Sequence, residues 1–350
     1  MSHRSEILPI VCLFLALTSY AQQPTSVRPG GVATAESNIP THGTGSGARV
    51  SVSVVDDKTA RFGRPAMARI YDENLKTTNW QPVAKNSEVT FDDLGLGKYD
   101  FQVSSIGYLT ARKEVEITNA RQPIHLQLSL VPDPDAVQLN PPDASTPAKA
   151  TKDAERGISE LEAGKFKDGQ KHLESALKEA PSSSQVNFLL GYSYFQQNDF
   201  DQAQTYVNKA TTLDPHNIQA FNLSGRLHLA KRDYAGAKTV MEQAVAADPE
   251  NAAAHGILAD AYLNLSDYKN ALAQADLSIE KSKSGISSAH IVRGQALADL
   301  GREDEAIQTL KAYLQNAPDS ASGPQVQQFI AALEARNPKA SSTPPPPTKQ

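Results

Sequence analysis

Cysteine is almost missing from this 350-residue chain: its one thiol, Cys12, lies inside the apolar run Ile7 to Tyr20. A chain cleaved after that run would have no disulfide and no thiol chemistry, a composition that suits an oxidising compartment. An excess of one charge is also missing. The formal net charge is -5, and no Lys/Arg stripe interleaved with aromatics occurs, so the electrostatic footprint of a nucleic-acid binder is absent. Apolar runs beyond Ile7 to Tyr20 are short, and that one falls below the roughly 20 residues a spanning helix needs. Reactive signatures are missing too: there is no His-Glu-x-x-His, no Gly-x-Ser-x-Gly, no Walker loop and no cysteine pair. The glycines of "HGTGSGAR" are not followed by Gly-Lys-Ser/Thr, which makes them linker and not a phosphate cradle. The chain is therefore expected to be no enzyme, and to hold no cofactor and no catalytic metal.

The chain does have abundant proline and glycine, 22 and 20 residues, gathered in spacers. Residues 1–21 read as a signal peptide: "ILPIVCLFLALTSY" ends in small residues, with Ser19 and Ala21 placed for cleavage after Ala21. Arg4 is offset by Glu6, so an uncleaved anchor in the inner membrane stays open beside export to the periplasm or cell surface. After cleavage no stable membrane span is expected. Residues 22–47, the Pro-rich linker 132–150 and the tail 337–350 are rich in Pro, Ser, Thr, Ala and Gly and are predicted to be disordered.

Between the first two spacers, residues 48–131 alternate in the manner of strands: "RVSVSVV", "AMARIYD", "SEVTFDDL", "GKYDFQVSS", "TARKEVEIT" and "PIHLQLSL", parted by turn residues. Short strands at this spacing predict a small β-sandwich. "RPAMARIYD" is followed by "VTFDDLGLGKYDFQVSSIGYLTARKEVEI" and a closing alternating strand, with Phe91, Leu94, Gly97, Tyr99, Gly107 and Tyr108 in characteristic places. That order resembles the carboxypeptidase-regulatory-like family of prealbumin-type sandwiches. An immunoglobulin-like sandwich stays open, because "VVDDKTARFGRPA" lacks the compact Gly-rich opening turn. The resemblance implies an accessory or binding module, grouped with carbohydrate-binding-like folds. A glycan platform needs an exposed ring beside hydrogen-bonding groups, and Trp80, the single tryptophan, is the candidate; Tyr71 and Tyr108 come next. Tyr99, Phe101 and Tyr108 also read as core or corner residues. Asp92 and Asp93 could ligate calcium, but with no further acidic spacing they read as turn residues.

In the second half, Pro181, Pro215 and Pro249 recur every 34 residues, and in the same register Gly157, Gly191 and Gly225 align, as do Ala176, Ala210 and Ala244. Small residues where helices approach, larger apolar residues along the seam and a proline ending each unit are what stacked helix pairs require. The pattern is similar to the tetratricopeptide repeat (TPR). Five units are expected over residues 151–336, closed by a capping helix from Gly323 to Asn337. Lys283 replaces the fourth proline and one residue is inserted, so an altered stacking angle is expected there. The whole chain is thus predicted to be multidomain, a small all-β sandwich followed by an all-α solenoid.

Such arrays bind polypeptide in the concave groove lined by the first helix of each unit. By repeat position the groove should show Gln185, Phe188, Tyr192 and Phe195, then Gln219, Asn222 and Arg226, then Asp260 and Asn264. Amides suit an extended backbone and rings take apolar anchors, although the same rings could pack on a neighbouring helix. His228, His255 and His290 stand where bulky residues pack, and Glu160, Asp201 and Glu242 read as solvated helix-face charges. The expected function is that of an exported non-enzymatic adaptor or scaffold binding a protein or peptide partner in the cell envelope; the alternative is a carbohydrate-binding accessory protein acting through the sandwich.

Overall fold

The computed structural model describes residues 47–56, 58, 60–72, 78–133, 136–282 and 287–336. The predicted signal segment, the tail and the irregular turn at Lys283 lie outside the described residues, as does the first linker apart from Gly47.

The N-terminal unit is built from seven strands: β1 (Ala48–Asp56), β2 (Met67–Asp72), β3 (Thr78–Pro82), β4 (Glu88–Leu94), β5 (Gly97–Ser104), β6 (Ala111–Ile117) and β7 (Ile124–Leu130). They form a three-stranded sheet in the order β4-β1-β7 and a four-stranded sheet in the order β3-β2-β5-β6. In β1 the valines at 50, 52 and 54 are buried while the residues between them are not, the period-two pattern of a strand with one face on a core. Residues from both sheets share that core, with Phe91 of one sheet meeting Phe101 of the other edge-on, ring centres 5.6 Å apart. The strand β3 is not visible in the residue pattern: Thr78–Pro82 has no alternation and ends in proline, and it forms only because an edge position beside β2 tolerates both.

Among the described residues eleven helices follow: α1 (Ala148–Glu162), α2 (Phe166–Glu179), α3 (Ser184–Gln196), α4 (Phe200–Leu213), α5 (Ile218–Ala230), α6 (Tyr234–Ala247), α7 (Ala252–Asn264), α8 (Tyr268–Lys281), α9 (Ala289–Asp299), α10 (Glu303–Asn316) and α11 (Gly323–Arg336). Helix pairs close around small residues. A Cβ on Gly157 would come 2.7 Å from Leu173, on Gly191 2.7 Å from Val207, and on Gly294 2.6 Å from Leu310. No side chain fits at those crossings. The turn inside each pair has its own repeat: Gly164, Asn198, Arg232, Ser266 and Gly301 all have positive φ, between 59° and 77°. The next residue then caps the second helix in three units, where Asp199, Asp233 and Asp267 accept the amides of Gln202, Gly236 and Asn270. The left-handed residue reverses the chain and the aspartate satisfies one of the orphan amides that the reversal exposes.

The sandwich is clasped to both ends of the solenoid. At the far end, Asp319 to Ala321 add a short antiparallel partner to the open edge of β6: the Arg112 amide donates to the Asp319 carbonyl at 2.6 Å, and the Ala321 amide donates to the Thr110 carbonyl at 2.8 Å. The Asp319 carboxylate also accepts the Ser129 amide at 3.1 Å. At the near end, Gly164 in the first helix turn lies against Met67 of β2, a Cβ there meeting its Cγ at 3.1 Å. Between these two points the β5–β6 loop enters the solenoid. Ile106 packs on the apolar cluster of the first three helix pairs, and Leu109 packs on the cluster of α9 to α11.

Candidate partner-binding groove

The inner helices of the solenoid are α1, α3, α5, α7 and α9, the first of each pair. In an ordinary two-layer stack their concave side would face water, and polar residues would mark it. Here α3 and α7 are buried nearly all round. Chain from outside the helix pairs covers part of the concave side.

Part of the cover is the segment between sandwich and solenoid. In the segment predicted to be a disordered spacer, Val137 to Asn140 instead lie against the repeats, and α1 starts at Ala148. The physical reason lies in its own sequence, because "AVQLN" carries two apolar residues that solvent would otherwise meet. Val137 and Leu139 pack on the cluster containing Phe188, Tyr192, Phe195, Leu223 and Leu227. The backbone is held as well: the Gln138 amide donates to Gln219 Oε1 at 3.1 Å, and Gln185 Nε2 donates to the Asn140 carbonyl at 2.6 Å. Gln185 and Gln219 occupy one position in successive repeats, so two equivalent amides grip an extended chain two residues apart.

Phe188 and Tyr192 lie three and seven residues after Gln185, which places them on the same helix face. Phe188 is 0% exposed, Tyr192 4% and Phe195 9%. Burial pushes the Tyr192 hydroxyl well above the usual phenol range, while a hydrogen bond with Gln196 and the charge of Arg226 pull the other way. Asn222, in the next repeat, is buried and pairs with Asn251, each amide donating to the other at 3.5 and 3.2 Å. Asn264 donates to both the carbonyl and the carboxylate of Asp260, at 2.8 Å each. Arg226 is half-buried, its charge near enough to Tyr192 to act on its hydroxyl. Of the nine groove positions chosen from repeat register, Phe188, Tyr192, Phe195, Asn222 and Asp260 are buried and the other four half-buried, and Gln185 and Gln219, not the rings, make direct hydrogen bonds to the linker.

Trp80 lies in the edge strand β3 of the sandwich. It pairs across β2–β3 with Arg69, whose guanidinium sits 4.7 Å from the ring centre. Arg69 donates to Gln102, Gln102 to Asp100, and Arg112 to both Asp100 and Glu114. This polar ladder crosses all four strands on the outer side of the sheet, and one face of Trp80 is taken up by it. Burial raises the Asp100 carboxyl above its ordinary range even with Arg112 beside it.

The histidines are held by neighbours: His255 is buried between Gln274 and the Pro249 carbonyl, His228 pairs with Asp233, and His290 contacts the Ser287 carbonyl. Among the described residues there is no group of three or more His, Cys, Asp or Glu able to hold a metal, and no helix long and apolar enough to cross a membrane. The groove positions offer amides, rings and a few paired charges.

Residue register alone did not reveal Val137, Leu139, Ile106, Leu109 or the clasp at Asp319 to Ala321. A signal did exist for the first two, since "AVQLN" alternates apolar and polar inside an otherwise proline-rich stretch.

Residues 160–227 match one tetratricopeptide-repeat family model, and residues 222–286 and 284–321 match another. None of the curated proteins matches the chain. Among solved structures it is similar to MamA 41-end from Desulfovibrio magneticus RS-1, at 18% identity over 55% of this chain and 98% of that one, with a TM-score of 0.42. A thermophilic TPR protein in Thermus thermophilus shares 16% identity over 53% of this chain and 99% of its own, with a TM-score of 0.44. The APC/C hetero-tetramer Cut9-Hcn1 shares 18% over 54% and 37%, with a TM-score of 0.49. With two family models in register over its helix pairs, residues 160–321 of this chain are a run of tetratricopeptide repeats.

Proposed function

We propose that the chain is a non-enzymatic scaffold whose repeat groove binds an extended segment of a partner protein. The observation that supports this most directly is the grip of Gln185 and Gln219 on backbone atoms of an extended chain, since main-chain hydrogen bonds are how a groove holds polypeptide with little regard to its side chains. The apolar run before Ala21 supports export, with the envelope as the place of action. The sandwich fits a carboxypeptidase-regulatory-like accessory domain. Phe91 and Tyr99 lie in its core, and Gly107, with φ of 91°, makes the turn before Tyr108. In this chain that Gly-Tyr corner presents Ile106 and Leu109 to the solenoid, so the sandwich acts as a fitted part of the scaffold.

A displayed library of random extended peptides selected on the full chain tests the reading. Peptides are expected to be enriched, and in a chain carrying Val137→Ser/Leu139→Ser, where the linker's own hold is weakened, Gln185→Ala/Gln219→Ala is expected to weaken them by about tenfold, two modest hydrogen bonds being lost. Failure to enrich any peptide, or enrichment indifferent to both glutamines, would contradict it.

A further inference from the structure

The segment already lying in the groove describes the partner that the groove accepts. Val137 and Leu139 are half-buried, while Gln138 between them and Asn140 after them are exposed, the period-two pattern of an extended strand with one side down. The repeat glutamines contact only main-chain atoms at 138 and 140, so the exposed side chains contribute nothing to recognition. Selectivity rests on the two apolar side chains, which are half-buried and pack against the apolar cluster of α1 to α5. From Ala136 to Pro142 the segment has no charge. A charged residue at either apolar position would be taken out of water beside rings with no partner to offset it.

We infer that the partner is an uncharged extended segment with apolar side chains two residues apart, and that the chain's own Val137–Asn140 occupies its place until displaced. This rests on the reading of the concave face as a peptide site. The linker is tethered at both ends, by the sandwich and by α1, and so competes at high effective concentration although its own hold is two hydrogen bonds and two half-buried side chains. The proline-rich stretch that follows, with Pro142 buried, suits this role: it cannot continue into helix, which keeps the segment before it extended.

The test uses a fluorescein-labelled synthetic peptide of residues 136–146, AVQLNPPDAST, and fluorescence anisotropy with three full-length proteins. These are the unaltered chain, Val137→Ser/Leu139→Ser, and Gln138→Pro, the last removing only the amide donor to Gln219 and keeping both apolar contacts. Val137→Ser/Leu139→Ser is expected to bind the peptide at least about tenfold more tightly than the unaltered chain, and Gln138→Pro, which gives up one hydrogen bond, about threefold more tightly, because the tethered competitor has been weakened. A peptide with serine at the two apolar positions is expected not to bind, and adding Gln185→Ala/Gln219→Ala to either variant is expected to abolish binding. Equal affinity for all three proteins would overturn the inference. If the variants ignore this peptide but still bind library-selected peptides through the two glutamines, the inference falls and the groove reading stands. If they bind neither, both fall.

Discussion

Replacing Phe188 with alanine is expected to cost about 3–5 kcal/mol of stability, the range for deleting a fully enclosed ring. Phe188 has no exposed surface and belongs to the cluster that joins α1 to α5 with the linker's Val137 and Leu139. Its removal leaves a void that the clasped arrangement cannot readily close, since the sandwich fixes both ends of the solenoid. Urea unfolding followed by far-ultraviolet circular dichroism measures the effect. In an open groove the ring would stand in water and its loss would cost well under about 1 kcal/mol. A small effect would therefore mean that the concave face is not covered. Because stability and binding are entangled at this residue, Gln185 and Gln219, half-buried and bonded to the linker through their tips, are the better probes of recognition.

The second large effect separates two glycines of the same repeat position. Gly191→Ala is expected to destabilise by about 1–3 kcal/mol, even though alanine is the better helix former by about 1 kcal/mol. The added Cβ would stand 2.7 Å from Val207 Cγ2 and 3.3 Å from both the Ala203 carbonyl oxygen and the Val207 nitrogen. A β-branched side chain in a helix has one good rotamer and backbone atoms cannot step aside. Gly225→Ala is expected to change stability by less than about 1 kcal/mol. Its Cβ would meet Met241 Sδ at 2.7 Å, Met241 Cε at 2.9 Å and Ile257 Cγ2 at 3.0 Å. The methionine end is flexible and can move. Parallel urea midpoints for the two variants check the contrast, and equal costs at both positions would contradict the packing described.

The repeats were legible because each unit restates the same physical demands. A small residue is needed at the helix crossing, as at Gly157 and Gly191, and a proline ends the second helix, as at Pro181 and Pro215. The sandwich was legible strand by strand where one face is buried and the other is not. It failed at β3, where Thr78–Pro82 has no apolar–polar alternation to display and ends in proline. Register placed Gln185 and Gln219 at one position of successive repeats, but the linker lying against them was not legible. Proline in "VPDPDAVQLNPPD" reads equally as a loose spacer and as an extended strap, and composition cannot distinguish them. The clasp at Asp319 to Ala321 was beyond sequence reading altogether. It depends on an unpaired edge of β6 meeting a turn about 200 residues later, a long-range juxtaposition that no local pattern records.

The account turns on one claim, that the repeat groove is filled by the chain's own linker. Amide hydrogen exchange of residues 136–140 in the intact protein, read by mass spectrometry, tests it most directly. The Gln138 amide, bonded to Gln219, is expected to exchange at least about tenfold more slowly than in the free 136–146 peptide, and to lose that protection in Gln219→Ala. Exchange at the free-peptide rate in the intact protein would show the linker outside the groove and contradict the account.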